Sequence, residues 1–238
     1  MGIIFNMYAN EAPGQKFPSM KLLNCSGNQA DDCTFDGPQV YPEYLTDVNI
    51  CVCPSDSDAE SVRKAFHQDG DLSKPVLVCA LARGSYYYTG FALYPPAVLK
   101  PGVTVPSDPN YFNGKDPVAE LPNYVSEDVI KGAMDAIDFS SGAIKKKDED
   151  WDPAPIRRLR MGIERFFITD INNPASSAIA CSNLAVMWDE IAVYGKPATF
   201  NHVPGGGNVL YMDGHCEFLK WPSVFPADTL GLLLSDLF

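Results

Sequence analysis

The sequence predicts an α+β fold, with a short N-terminal helix packed on an antiparallel β-sheet and long loop insertions between elements. Three observations carry this. Residues 2–9 (GIIFNMYA) form an apolar run of helical character, halted by Pro13, Gly14 and Pro18. Residues 208–221 hold two apolar-rich runs flanking Asp213-Gly214, the signal for a two-residue type I′ hairpin, whose central positions both need φ > 0. Twenty prolines and eighteen glycines in 238 residues exceed the roughly 12% usual for the two together, which favours turns and ordered loops over a helical bundle.

Composition narrows the class. With 46% hydrophobic and 20% charged residues the chain is globular, and 238 residues suit one large domain with an elaborated insertion. Such a chain buries roughly 70% of its unfolded surface and needs no disulfide merely to fold. The net charge of −12 is spread along the sequence without a dense basic run, so nucleic acid and anionic membrane surfaces are poor partners. No stretch of eighteen apolar residues occurs, the length a membrane-spanning helix needs.

The remaining elements follow in order. The helical run at 2–9 is too short to stand alone and reads as the end of something longer. Residues 48–53 (VNICVC) read as a strand, with Cys51 and Cys53 on opposite faces, ended by Pro54-Ser55-Asp56. A helix over 55–67 would be capped by Ser57 or Asp58. Residues 76–82 and 85–93 read as strands broken at Gly84, and 95–123 as a proline-rich ordered loop. Ser126-Glu127-Asp128 opens a helix to about Phe139, and Lys145–Asp152 reads as a solvated charged loop. Pro155 starts a helix through about Glu164, and Arg165–Ile171 reads as a strand. Residues 184–193 fit strand or helix, Val209, Tyr211, Cys216 and Phe218 are inner-face candidates of the hairpin, and 228–238 is a short helix or extended tail.

Several groups of residues could carry chemistry. Seven cysteines without a C-x-x-C exclude zinc-ribbon and thioredoxin-like motifs, and Cys25–Cys33 is the easiest local bridge. His67 reads as solvated. His202 and His215 stand near Asp189, Asn208 and Asp213, a set that either braces the hairpin or supplies a metal site or an Asp–His base. Gly205-Gly206-Gly207 precede a strand and so form no phosphate cradle. Acidic clusters at Asp31-Asp32, at Asp56 with Asp58, and at Asp148-Glu149-Asp150 are candidates for calcium, without EF-hand spacing. Arg157, Arg158, Arg160 and Arg165 either pair within the chain or meet an acidic neighbour.

His202-Val-Pro-Gly-Gly-Gly-Asn-Val-Leu-Tyr-Met-Asp213-Gly214-His215 resembles the C-terminal signature of prepilin-type proteins with an H-X9-DG domain, the type II secretion pseudopilins and type IV pilin-like proteins. Ten residues rather than nine separate His202 from Asp213, and the glycine run accommodates the extra one. Gly2–Glu11 followed by Lys16-Phe17-Pro18 is similar to the end of the pilin N-terminal helix and its exit loop. Cys53-Pro54-Ser55-Asp56, Ser85-Tyr-Tyr-Tyr-Thr-Gly-Phe91, Glu164–Pro174 and Val186-Met-Trp-Asp189 are similar to further family segments in the same order.

The resemblance implies a pilin-like fold, with 1–18 as the helix remnant, 19–238 as the globular head and 95–165 as a variable insertion. It implies a structural filament subunit rather than an enzyme, acting in protein secretion or surface display at the periplasm or cell surface. Its partners would be other pilin-like subunits, and the inner membrane through a leader and apolar helix expected ahead of residue 1. His202, Gly206, Asn208, Asp213, Gly214 and Asp189 would be the structural signature. An oxidising compartment would favour Cys53–Cys79 and Cys181–Cys216 as disulfides, with Cys51 left over, and the family likeness raises calcium as a candidate ion. Two rival readings are a secreted carbohydrate-binding module using Tyr86, Tyr87, Tyr88, Phe91 and Tyr94, and a metal-dependent hydrolase built on Asp189, His202, Asp213 and His215.

Overall fold

The computed structural model describes residues 1–238 except 31, 82–83, 109–110, 112–113, 139–142, 153, 168–179, 192–199, 203–204 and 236–238. It is mixed α+β, built on an antiparallel sheet of four strands. These are β1 (Tyr86–Tyr87), β6 (Ala185–Asp189), β7 (Gly206–Tyr211) and β8 (Cys216–Lys220), in the order β1-β6-β7-β8. Two small ladders flank it: β2 (Phe91–Ala92) with β5 (Arg157–Arg158), and β3 (Ile137–Asp138) with β4 (Ala143–Ile144).

Both faces of the central sheet are covered. Tyr87, Trp188, Val209 and Tyr211 lie in one core with Trp151, Phe225 and Leu233, the last from helix α7 (Thr229–Ser235). Met187, Leu210 and Met212 lie in the other with Phe5 and Ala9 of helix α1 (Gly2–Glu11), Phe35 and Tyr88. Phe5 is fully buried and its ring meets those of Phe17, Phe35 and Tyr88 at 4.9–6.0 Å. Burial on two sides explains why 184–193 carried no alternation: all five residues of β6 are buried, and a strand covered on both faces loses the period of two.

The hairpin forms, but not through the two-residue turn. Pairing runs from Gly206↔Lys220 to Leu210↔Cys216, and Tyr211 N donates to His215 O at 3.0 Å. Met212, Asp213 and Gly214 therefore form a three-residue loop, closed by Gly214 N on Tyr211 O at 2.9 Å. Only Gly214 has positive φ, at 90°, which is the pattern of a type I turn followed by a glycine bulge. The inner-face expectation holds for Val209 and Tyr211 and fails for Cys216 and Phe218, because β8 is the sheet edge and buries only Leu219.

Other segments depart from the sequence expectation for visible reasons. Residues 48–51 form a single helical turn, since the Asp47 carboxylate accepts from Asn49 N at 2.9 Å, and Cys51 and Cys53 are both buried. Of the expected strand 76–82, residues 76–81 give one turn at Val78–Ala80 and a bridge at Val76 instead, and 82 lies outside the described residues. The run 85–93 splits into β1 and β2 about Gly90, whose φ is 68° and whose missing Cβ makes room for the Arg158 guanidinium. The proline-rich span holds two helices, α4 (Pro95–Val98) and α5 (Pro117–Tyr124), each opening on a proline. Helices α3 (Ala59–Ala65) and α6 (Glu127–Ala136) fall within the expected spans.

The charged run 145–152 is a loop that is solvated only in part, because Lys147 and Trp151 turn inward. Lys147 is buried and donates to the carbonyls of Lys21, at 2.8 Å, and of Ala30. Trp151 is 1% exposed. Arg158, fully buried, donates to the carbonyls of Gly90, Phe17 and Pro18 and to Asp148 at 3.2 Å. Arg157 pairs with Asp152 at 2.6 Å and Arg160 with Asp150 at 3.0 Å. The acidic run thus answers the basic cluster within the chain, and this need for an extended backbone at Arg158 replaces the helix expected from Pro155. Residues 163–166 form a helical turn, not the strand expected from Arg165, and 168–171 lie outside the described residues.

The one disulfide among the described residues joins Cys25 to Cys79. None of the three expected pairings forms. Cys33 is buried in the core around Trp151, Cys53 turns to His202, and Cys181 sits against Glu164 while Cys216 is exposed on β8. These three pairs failed because the fold sets each sulfur against a different segment, and only the sulfurs of Cys25 and Cys79 are brought within bonding distance.

Candidate functional site

The site is at the open end of the hairpin, where β6 stops. Asp189 is its last residue, paired across the sheet with Tyr86, and is fully buried. Its neighbour on β7 is Gly207, where a Cβ would come within 2.9 Å of the Asp189 Cβ. Gly206, at φ 134°, also has no room for one, because the Leu219 carbonyl of β8 occupies the space. The glycines therefore let β7 run close enough for Asn208 to reach Asp189.

Three donors meet on one oxygen. Asp189 Oδ2 accepts from Asn208 N at 2.7 Å and from Asn208 Nδ2 at 2.8 Å, and His202 Nε2 lies 2.8 Å away. Oδ1 of the same carboxylate is buried with no hydrogen-bond partner among the described residues. Cys53 Sγ lies 3.5 Å from His202 Nε2, although 149 residues separate the two in sequence. The His202 ring meets Phe218 edge-on, with centroids 5.6 Å apart.

Cys53 is placed by the turn that follows it. Asp56 N donates to Cys53 O at 3.1 Å, and the backbone N–H groups of Ser55 and Asp56 also reach the thiol. Burial pushes the thiol pKa up, the Ser55 N–H opposes that, and the Asp189 charge adds to it. Asp56 Oδ2 accepts from Ser85 Oγ at 2.6 Å, and Ser85 O accepts from Asn201 Nδ2 at 2.6 Å and Glu190 N at 2.9 Å. The segments at 53–56, 85, 189–190 and 201–208 are thereby tied into one network.

The structure brings together Asp189, His202, Asn208 and Gly206 of the sequence-derived set and leaves Asp213, Gly214 and His215 at the other end of β7. From Asn208 to Asp213 the chain runs about 16 Å at strand rise. Asp213 and His215 make a local pair of their own at 2.6 Å, with the His215 ring stacked on Tyr211. A hydrolase centre using both histidines is therefore not assembled. Tyr87, Tyr88 and Phe91 are buried, so these residues offer no exposed platform for a sugar. Of the acidic clusters, Asp32 pairs with Lys21 at 2.9 Å, Asp148 and Asp150 with arginines, and Asp56 with Ser85. Asp31 lies outside the described residues, and the groups of candidate metal ligands found among the described residues include none of these clusters.

Cys53 is the member sequence reasoning missed. No spacing rule links it to His202. Its one local signal is the Cys-Pro-Ser-Asp turn, whose N–H groups point back at the sulfur. The cluster is not a nucleophilic triad. Asp189 and Cys53 both address Nε2, whereas a Cys–His–Asp relay uses the two ring nitrogens separately. No family model matches the chain, and no curated protein or solved structure matches it either.

Proposed function

We propose that this chain is the globular head of a pilin-like subunit, of the type II pseudopilus or type IV pilus kind, which serves secretion or surface display by assembly and not by catalysis. One observation carries the reading. Four of the segments that resemble this family, at Cys53–Asp56, Ser85, Asp189 and His202–Asn208, are hydrogen-bonded into one network at the end of the sheet. Residues arranged to lock loops onto a sheet make a rigid body, which suits a subunit whose task is to pack. Helix α1 fits the same role. It buries Phe5 and Ala9 against the sheet and leaves Ile3 and Met7 exposed, on the side where neighbouring subunits would pack. The Cys25–Cys79 bridge suits a periplasmic or surface location, since disulfides persist in oxidising compartments.

In this reading the partners are other pilin-like subunits, and a helix N-terminal to residue 1 holds the subunit in the inner membrane. The test is cysteine cross-linking in the native host, with Ile3→Cys and Met7→Cys introduced at the chromosomal locus. The expected result is a ladder of covalent multimers in the membrane and sheared-filament fractions. Monomer alone, recovered in the soluble fraction, overturns the proposal.

A further inference from the structure

We propose that Cys53, Asp189 and His202 bind one divalent transition metal of the zinc class, through Sγ, a carboxylate oxygen and Nε2. The inference stands apart from the filament reading and holds whether or not the head assembles. Among the described residues these three alone form such a group, with their ligand atoms all within 4.8 Å of one another. Sulfur, imidazole nitrogen and carboxylate oxygen together suit zinc, whereas calcium and magnesium take oxygen shells.

The geometry of the ion-free site favours this over a hydrogen-bond network. Tetrahedral zinc with Zn–S of about 2.3 Å and Zn–N of about 2.0–2.1 Å places sulfur and nitrogen roughly 3.5 Å apart. Cys53 Sγ and His202 Nε2 are 3.5 Å apart. The nitrogen–oxygen edge of the same tetrahedron is roughly 3.3 Å, so the 2.8 Å from His202 Nε2 to Asp189 Oδ2 opens by about half an ångström on binding. Nε2 alone faces the thiol, the carboxylate and the Asn208 amide at 3.2 Å, so any hydrogen bond it makes is shared and weakened, whereas one metal joins sulfur, nitrogen and oxygen directly.

A second, independent observation is the buried Oδ1 of Asp189. A carboxylate oxygen without a partner costs free energy in a dry site, and a metal that takes Oδ1 together with Oδ2, as a bidentate carboxylate does, offsets that cost. Asn208 supplies the outer support, its two N–H donors holding the carboxylate in place as metal sites require. His202 is 23% exposed, which gives an ion a way in. Three protein ligands leave a fourth position for water.

Binding balances as a proton exchange. The Cys53 S–H bond breaks, its proton goes to solvent, and the sulfur lone pair forms the metal bond. The neutral His202 ring moves its single proton from Nε2, where it faces Asp189, to Nδ1 by exchange with solvent, so that Nε2 offers its lone pair. One proton leaves for each metal bound, and affinity rises with pH.

The experiment is cobalt and zinc titration of the full purified chain, reduced only enough to keep Cys25–Cys79 intact. One equivalent of metal and a thiolate-to-cobalt charge-transfer band are expected in the unmodified protein. Cys53→Ser should abolish the band, and Cys53→Ser and His202→Ala should each weaken zinc binding by at least about tenfold. His215→Ala and Cys216→Ser should leave both readouts unchanged. No stoichiometric uptake by the unmodified chain overturns the proposal without any variant having to fold. So does cobalt uptake without the band, or a loss of binding that follows His215 or Cys216 instead.

Discussion

The hairpin carries an Asp–His pair at each end, and the two pairs differ in almost everything except distance. Asp213 and His215 lie 2.6 Å apart, two residues apart in sequence, with side chains 37% and 42% exposed. Asp189 and His202 lie 2.8 Å apart, join separate segments, and the carboxylate is fully buried. The exposed pair is screened by water and costs side-chain entropy to hold, so it contributes little. The buried pair has taken its carboxylate out of water, so every donor that meets it matters. A short Asp–His distance therefore does not mark a site; burial with converging donors from different segments does.

The largest effect should come from breaking the buried pair. Asp189→Ala strands the Asn208 and His202 donors and is expected to lower the unfolding free energy by about 3–5 kcal/mol in urea melts. Equal midpoints for Asp189→Ala and Asp213→Ala would erase the contrast between the two ends.

Gly206→Ala tests the backbone of the buried end. Its φ of 134° and the nearby Leu219 carbonyl make any side chain costly, with an expected loss of about 2–3 kcal/mol. Gly214→Ala tests the exposed end. There φ is 90° but a Cβ would meet nothing within 4 Å, so only the backbone strain of about 1–2 kcal/mol is expected. A larger loss at Gly214 than at Gly206 would invert the comparison.

A third carboxylate shows what burial does without a cation. Asp228, most of it buried ahead of α7, has its pKa pushed up to about 6 by burial, against the N–H groups of Gly231 and Leu230. The folded state therefore holds this proton more tightly than the unfolded chain. The stability it contributes is complete below about pH 4 and is lost as pH rises through about 6, a fall of roughly 3 kcal/mol. Asp228→Asn keeps an acceptor for Gly231 N and should flatten the stability profile between these pH values. A slope that survives the substitution assigns it to another group.

The smallest change is expected from Asp213→Ala, less than about 1 kcal/mol, because the pair it breaks is exposed and local.

Legibility in the sequence follows the same division. The hairpin, α1, α3 and α6 were readable because their signals are local: Asp-Gly between apolar runs, an apolar run before Pro13, and acidic residues opening a helix. Asp189, His202, Asn208 and Gly206 were picked out as a set, while their separation from Asp213 and His215 was not. The misses have one cause. Arg158 turns an expected helix into β5 by donating to three carbonyls from two other segments. Lys147 is buried because two carbonyls from residues 21 and 30 wait for it. Cys25 bonds Cys79, 54 residues away, past the nearer Cys33.

By itself the sequence determined the coarse α+β class, the hairpin, the N-terminal helix and the acidic, loop-rich character, since each rests on neighbours within a turn or two of chain. Only the tertiary structure decided which carboxylate is buried, which cysteine faces His202, which sulfurs bond, and that Lys147 and Trp151 of the charged run turn inward. Those outcomes depend on which segments exclude water together. Burial sets the strength of a charge, a thiol or an ion pair, and it becomes defined only when distant segments close on one another.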